Sequence, residues 1–295
     1  MKIKQFALLL LLIIASMFGL TGCSQRLSLE NKEFVSDIEI DKISMNEITM
    51  PVEIKTDSNL EFPKIEYYTH EKYKLSVSIV YSSKTLKIER ENKNTIFSPT
   101  YTFDTKCKTT IYLPDDYSGV LDLKIVTGSL KIEDASMKEI DAKVTTGDVS
   151  YNKLNVEEDI ETSVVTGKIN ISSITAKELN INTTSGKINL ENTTVTGRIE
   201  TKVISGATNL NNVKAESFSI NSTTGDLELK SLECETLIDV KATTGMINLS
   251  VVGKKEEYTT RLSSKTGETT GANEGGEKKI TCDVITGTIK VKYLG

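Results

Sequence analysis

The chain has 295 residues, with 36 Lys and Arg against 41 Asp and Glu, a net charge of −5, four cysteines and one histidine. An acidic balance with no dense run of Lys or Arg excludes nucleic acid as a partner. A single imidazole leaves very little room for histidine-based catalysis or metal binding.

The N-terminus carries Lys2 and Lys4, then an apolar run over 6–18 that is too short to span a bilayer comfortably and reads as the hydrophobic segment of an export signal. It ends in Leu20-Thr21-Gly22-Cys23, which resembles the bacterial lipobox and makes Cys23 the expected lipidation site. The reading is a lipoprotein leader over 1–22 and a lipidated tether over 23–32. The protein then sits on the extracytoplasmic face of the cell membrane, held by buried acyl chains.

Residues 33–120 alternate apolar and polar, as in Leu75-Ser76-Val77-Ser78-Ile79, and hold most of the tyrosines, among them Tyr67, Tyr68, Tyr73, Tyr81, Tyr112 and Tyr117. This region reads as an aromatic-rich β cap, because a sheet stack must cover its open end. A tyrosine-lined ligand surface is the functional alternative. Pro99, followed by Tyr101 and Phe103, marks a loop leading into a strand.

From 121 to 295 the chain repeats. Glycines fall at Gly128, Gly147, Gly167, Gly186, Gly206, Gly225, Gly245, Gly267 and Gly287, at intervals of 19, 20, 19, 20, 19, 20, 22 and 20 residues, each preceded by Thr or Ser. Counted from each glycine, positions −7, −5, −3, +2 and +4 are mostly apolar with polar residues between, which is the period of a strand with one buried face. Apolar residues at +7 and +9, such as Leu154 and Val156, complete a third short side. One repeat is therefore one turn of an all-β, right-handed parallel β-solenoid with coils of about 20 residues. The glycine is placed at a corner, and the preceding hydroxyl residue is expected to hydrogen-bond locally.

A lone coil buries too few side chains to offset the entropy of ordering it, so the coils must stack. All four prolines, Pro51, Pro63, Pro99 and Pro114, precede the repeat, as a ladder needing every N–H requires. An antiparallel sandwich or barrel is the alternative, but hairpins impose no constant spacing. Polar stretches over 253–257 and 271–279 interrupt the beat, and 280–291 reads as the closing coil. Cys107, Cys234 and Cys282 fall on inward positions as small buried residues, with a Cys107–Cys282 bridge left open.

Few residues suggest chemistry. His70 lies in the polar stretch Thr69-His70-Glu71-Lys72, and the carboxylates Asp115, Asp116, Glu157, Glu158 and Asp159 sit in turn-like segments without recurring at coil spacing. Asn170, Asn189 and Asn209 do recur and should align as an outward amide column. That column is either a structural ladder or, with Lys168 and Lys187 beside it, a polar strip for a glycan.

The segment Thr109-Thr110-Ile111-Tyr112-Leu113-Pro114, followed by the repeated Thr-Gly and Ser-Gly turns, resembles the bacterial adhesin-type β-strand-repeat family, the domain of unknown function 4097. The resemblance implies a β-solenoid at the bacterial surface, and it carries no catalytic residues over. It favours a non-enzymatic, adhesin-like binding module over a structural or regulatory accessory of an envelope-stress system, with a carbohydrate-active β-helix enzyme third. The expected partners are the membrane, through the N-terminal lipid, and a cell-wall or host glycan or an envelope protein. No cofactor, metal or particular oligomeric state is implied.

Overall fold

A computed structural model describes residues 25–26, 28–71, 73–91, 101–102 and 106–295. The leader, Cys23 and Pro99 lie outside the described residues. The alternation read from the sequence becomes two strands per coil, as in Glu139–Thr146 and Val149–Val156. Ile140, Ala142 and Val144 are buried, while Asp141 and Lys143 between them are not. Each strand pairs in parallel with its counterparts one coil away: Ile140 lies opposite Leu121 and Ile160, and Val149 opposite Leu130 and Ile169. These pairings rule out the antiparallel sandwich and give the expected β-solenoid, with a single apolar column running through all the coils.

The glycine corners stand in file. A Cβ built on Gly147 would lie 2.0 Å from the Gly128 carbonyl oxygen, and one on Gly167 would lie 2.0 Å from that of Gly147. On the other side, Gly147 N–H donates to Thr166 O (3.0 Å) and Gly167 N–H to Ser185 O (3.1 Å). Each of these glycines is thus clamped between two coils in a conformation (φ +150° and +151°) that L-residues rarely adopt. The expected local bond of the preceding hydroxyl is not found among the described residues: Thr266 Oγ1 donates to Ile285 O (3.2 Å), but on the neighbouring coil. Elsewhere the carbonyl of that residue, rather than its hydroxyl, makes the contact.

A second corner lies six residues after the glycine. Asp134, Lys153, Ser173, Asn192, Asn212 and Ser231 all take positive φ, between 47° and 56°. One left-handed residue reverses the strand's parity, so the inward positions +2 and +4 are followed by +7 and +9. This corner produces the third side, and Asn and Asp tolerate the conformation best.

At both ends the order in space departs from the order in sequence. Lys42–Glu47 and Val52–Thr56 form a coil in register with the repeat, Met45 opposite Leu123 and Ile54 opposite Ile132. Its outer side is covered by Thr85–Arg90 and Thr109–Leu113. Antiparallel strands then finish this end: Leu75–Val80 on one face, and Lys64–Thr69 with Glu30–Val35 on the other.

The opposite end mirrors this. Lys278–Thr286 pairs with both 237–244 and Tyr258–Thr266, so the last coil in sequence is slotted one layer in. The outermost coil is therefore 258–270, not the expected 280–291. The long Gly245-to-Gly267 interval is the chain stepping over the place its own end will fill.

The coil over 42–56 has no glycine corner. Glu47 Oε1 instead accepts the N–H groups of Ile48, Thr49 and Met50 (2.9, 3.0 and 3.2 Å), closing a turn whose Met50 carbonyl lies beneath Gly128. Arg90 Nε donates to the same oxygen at 2.6 Å, and its Nη1 donates to Tyr68 O and Tyr73 O, both at 3.0 Å. Both side chains are fully buried. Cys107, Cys234 and Cys282 are buried, and Cys282 is in no disulfide, so no bridge links Cys107 to Cys282.

Two predictions follow from this packing. Gly167→Ala should lower stability by at least about 3 kcal/mol, whereas Gly197→Ala should cost only about 1 kcal/mol. Gly197 lies off the file, and its nearest obstacle is Lys177 O at 3.0 Å. Arg90→Met should cost about 3–5 kcal/mol by leaving Glu47 charged and unpaired. Adding Glu47→Gln should recover part of that loss, because no buried charge then remains. Urea midpoints of the four proteins measure both effects.

Candidate functional site

Parallel stacking in register repeats every outward position at about 4.8 Å along the axis. Three positions past the glycine this gives Ser150, Asn170, Asn189, Asn209 and Glu228 in one column. Asn189 Nδ2 donates to Asn170 Oδ1 (2.7 Å), and Asn209 Nδ2 donates to Asn189 Oδ1 (2.9 Å). The amides form the ladder that the sequence spacing suggested, and each keeps hydrogen-bonding capacity for a ligand. Asn248 Nδ2 repeats the motif on Glu228 Oε1 (2.5 Å), a pair the sequence reading did not single out.

Asn170, Asn189, Asn209 and Lys187 line one shallow depression of about 560 Å³, with Ser172 and Glu191 on its far side. Lys168 is not among its lining residues. It sits at the neighbouring corner, where its main-chain N–H donates to Asp148 Oδ1 (2.7 Å). The depression is long, open and polar. It suits a ligand laid along the axis rather than a small molecule enclosed on all sides.

The other strand face is an ionic mesh. Asp122, Asp141 and Glu161 stack in register, and Lys42 and Lys143 pair with Asp122 (2.8 Å) and Asp141 (3.0 Å). The Asp141 hydrogen bond and charge raise the Lys143 pKa. Such exposed pairs contribute little stability individually. They do keep stacked like charges from repelling.

A cleft of about 700 Å³ opens beside the 42–56 coil. Glu39, Asp41, Glu61 and Asp116 stand around Phe62 and Pro114. Lys84 binds Glu39 (2.8 Å) and lowers its pKa. Of the turn carboxylates weighed from sequence, only Asp116 reaches this cleft; Glu157 and Glu158 use their main-chain N–H groups to bond the preceding coil. The cleft was not legible in the sequence, since its walls come from four separate segments.

Cys234 and Cys282 are poor nucleophiles. Burial pushes Cys234 up to about 11, and it raises Cys282 further. His70 forms an isolated antiparallel bridge with Tyr73. Among the described residues, no three His, Cys, Asp or Glu side chains converge as a metal would require.

Comparison with known proteins follows the fold. A crystal structure from Parabacteroides distasonis described as a "putative lipid binding protein" is similar over 91% of this chain and 100% of its own, at 15% identity and a TM-score of 0.53. One from Bacteroides fragilis, described as a "putative adhesin", is similar over 92% of this chain and 100% of its own, at 16% identity and a TM-score of 0.48. No curated protein matches the chain. Residues 40–292 match the family described as Toastrack DUF4097, and the chain belongs to that family.

Proposed function

We propose that the protein is a non-catalytic binding module, anchored to the outer face of a bacterial membrane by a lipid on Cys23, that lays an extended glycan along its amide face. The observation that carries the reading is the ladder Asn170–Asn189–Asn209, with Lys187 lining the same open depression. Amides at about 4.8 Å intervals offer alternating donors and acceptors to a polymer of hydroxyl-bearing units. Anchoring rests on the Lys2–Cys23 leader pattern.

Two experiments test this. Labelled full-length protein incubated with purified cell wall and with a panel of host matrix glycans should co-sediment with one of them. The triple variant Asn170→Ser, Asn189→Ser, Asn209→Ser should bind about tenfold more weakly at an unchanged melting temperature. Binding to none of these materials, or release of reducing ends from them, would overturn the reading. Separately, Cys23→Ser should move the protein from the membrane fraction to the medium and abolish incorporation of labelled fatty acid; persistence in the membrane would remove the anchor.

A further inference from the structure

Stacked sheets end in edge strands, and two long edges of this molecule are blunted. Glu30–Val35 carries Glu30, Lys32 and Glu33; Tyr258–Thr266 carries Arg261 and Lys265, and Thr260 is bridged to Asn273. The edge strand Leu75–Val80 has none of these defences. Its sequence, Leu-Ser-Val-Ser-Ile-Val, has no charge and no proline, and among the described residues it pairs with one strand only.

Its free hydrogen-bonding groups can be assigned. Glu91 N–H donates to Lys74 O (2.8 Å), so residues 74, 76, 78 and 80 turn their main-chain groups toward the neighbouring strand. Leu75, Val77 and Ile79 turn theirs away from it. Leu75 N–H is taken by Thr69 Oγ1 (3.0 Å), whereas Val77 and Ile79 aim theirs at the open edge. Their side chains are only partly buried, as are those of Phe34, Ile38 and Tyr67 at the same end. Val80 and Tyr81 are exposed.

We infer that this edge pairs with the same strand of a second copy, across a two-fold axis normal to the sheet at Val77. Such an axis keeps each side chain on its own side of the sheet. Centred on Val77, it sets Val77 against its equivalent and Leu75 against Ile79 on the core side, with Ser76 against Ser78 outside. The two Val77 residues then meet as a full hydrogen-bonded pair, and on either side Ile79 N–H meets the Leu75 carbonyl, while Leu75 N–H stays with Thr69 Oγ1. Charge agrees with this register. Lys74, exposed and without an ion pair, comes opposite Val80 of the second copy, next to Tyr81, whose hydroxyl holds Asp37 (3.2 Å). The result is two solenoids joined end to end, with one face continuous through both and the half-covered apolar ends closed on each other.

The register makes the test specific. Ser76 and Ser78 of facing copies form a non-hydrogen-bonded pair, about 4.5 Å between Cα atoms, within disulfide reach. Full-length protein carrying Ser76→Cys and Ser78→Cys, oxidised in native membranes, should run at twice its mass without reductant, and either single variant should not. In sedimentation of the purified full-length chain, Ser76→Lys with Ser78→Lys should weaken the dimer about tenfold or more, whereas Ser76→Lys with Ser78→Glu should retain it. Unchanged melting temperatures separate this from misfolding. A wild-type monomer at every concentration, a cross-link to a different protein, or a dimer indifferent to both charge pairs would overturn the proposal.

Discussion

The corner glycine, gripped between two coils, is the constraint from which the rest of the molecule follows. Its N–H is held by the carbonyl of the coil ahead, and the space where a Cβ would lie is filled by the carbonyl of the coil behind. Axial pitch and register are therefore fixed at one point in every turn. Inward and outward positions are counted from that point, so a slip of one residue would expose the whole apolar column. A backbone contact of this kind is indifferent to the residues beyond the corner, which leaves the outward columns free to carry different chemistry on an unchanged frame.

The ends show how the same frame is closed. A solenoid built strictly in sequence order would leave its first and last coils as loose edges, held from one side only. Here both are enclosed: 42–56 by strands from 85–113, and 278–293 by 258–270. At the N-terminal end the glycine corner is replaced by a carboxylate. Glu47 gathers three main-chain N–H groups, and Arg90, stacked one layer out at the same inward parity, neutralises it. A buried pair of this kind adds little net stability, yet it admits only one alignment of the two coils. That is useful where no glycine file sets the register.

Much of this was legible in the sequence because a solenoid turns spacing into geometry. Glycine interval gave coil length, alternation gave the inward columns, and a constant coil length placed Asn170, Asn189 and Asn209 in one ladder. What escaped the reading shares a physical cause: contacts that spacing does not encode. The left-handed corner at Asp134 and its equivalents needs no glycine, so only the parity break between +4 and +7 betrays it. The coil at 42–56 lacks a glycine altogether, although Ile43-Ser44-Met45-Asn46-Glu47 and Leu86-Lys87-Ile88-Glu89-Arg90 carry opposite charges at matching inward positions. The order of the last two coils depends on which of two similar strands pairs with 237–244, and both have suitable alternation. The acidic cleft exists only because that early coil is inserted between segments distant in sequence.

The two long faces are built on one backbone rule and differ only in what their outward columns do with it. Stacked carboxylates on one face need lysines between them, so the polar capacity of that face is largely consumed internally. On the other, Asn189 uses one donor and one acceptor, Asn170 one acceptor and Asn209 one donor, so much of the amide capacity is left over. A neutral ladder also escapes the repulsion that a file of like charges would suffer, and under the proposed function it would hold a hydroxylated polymer without the salt dependence of an ionic surface. Recognition of that kind would scale with the number of coils in register. Under the proposed function, length, and hence the integrity of the corner file, would set affinity.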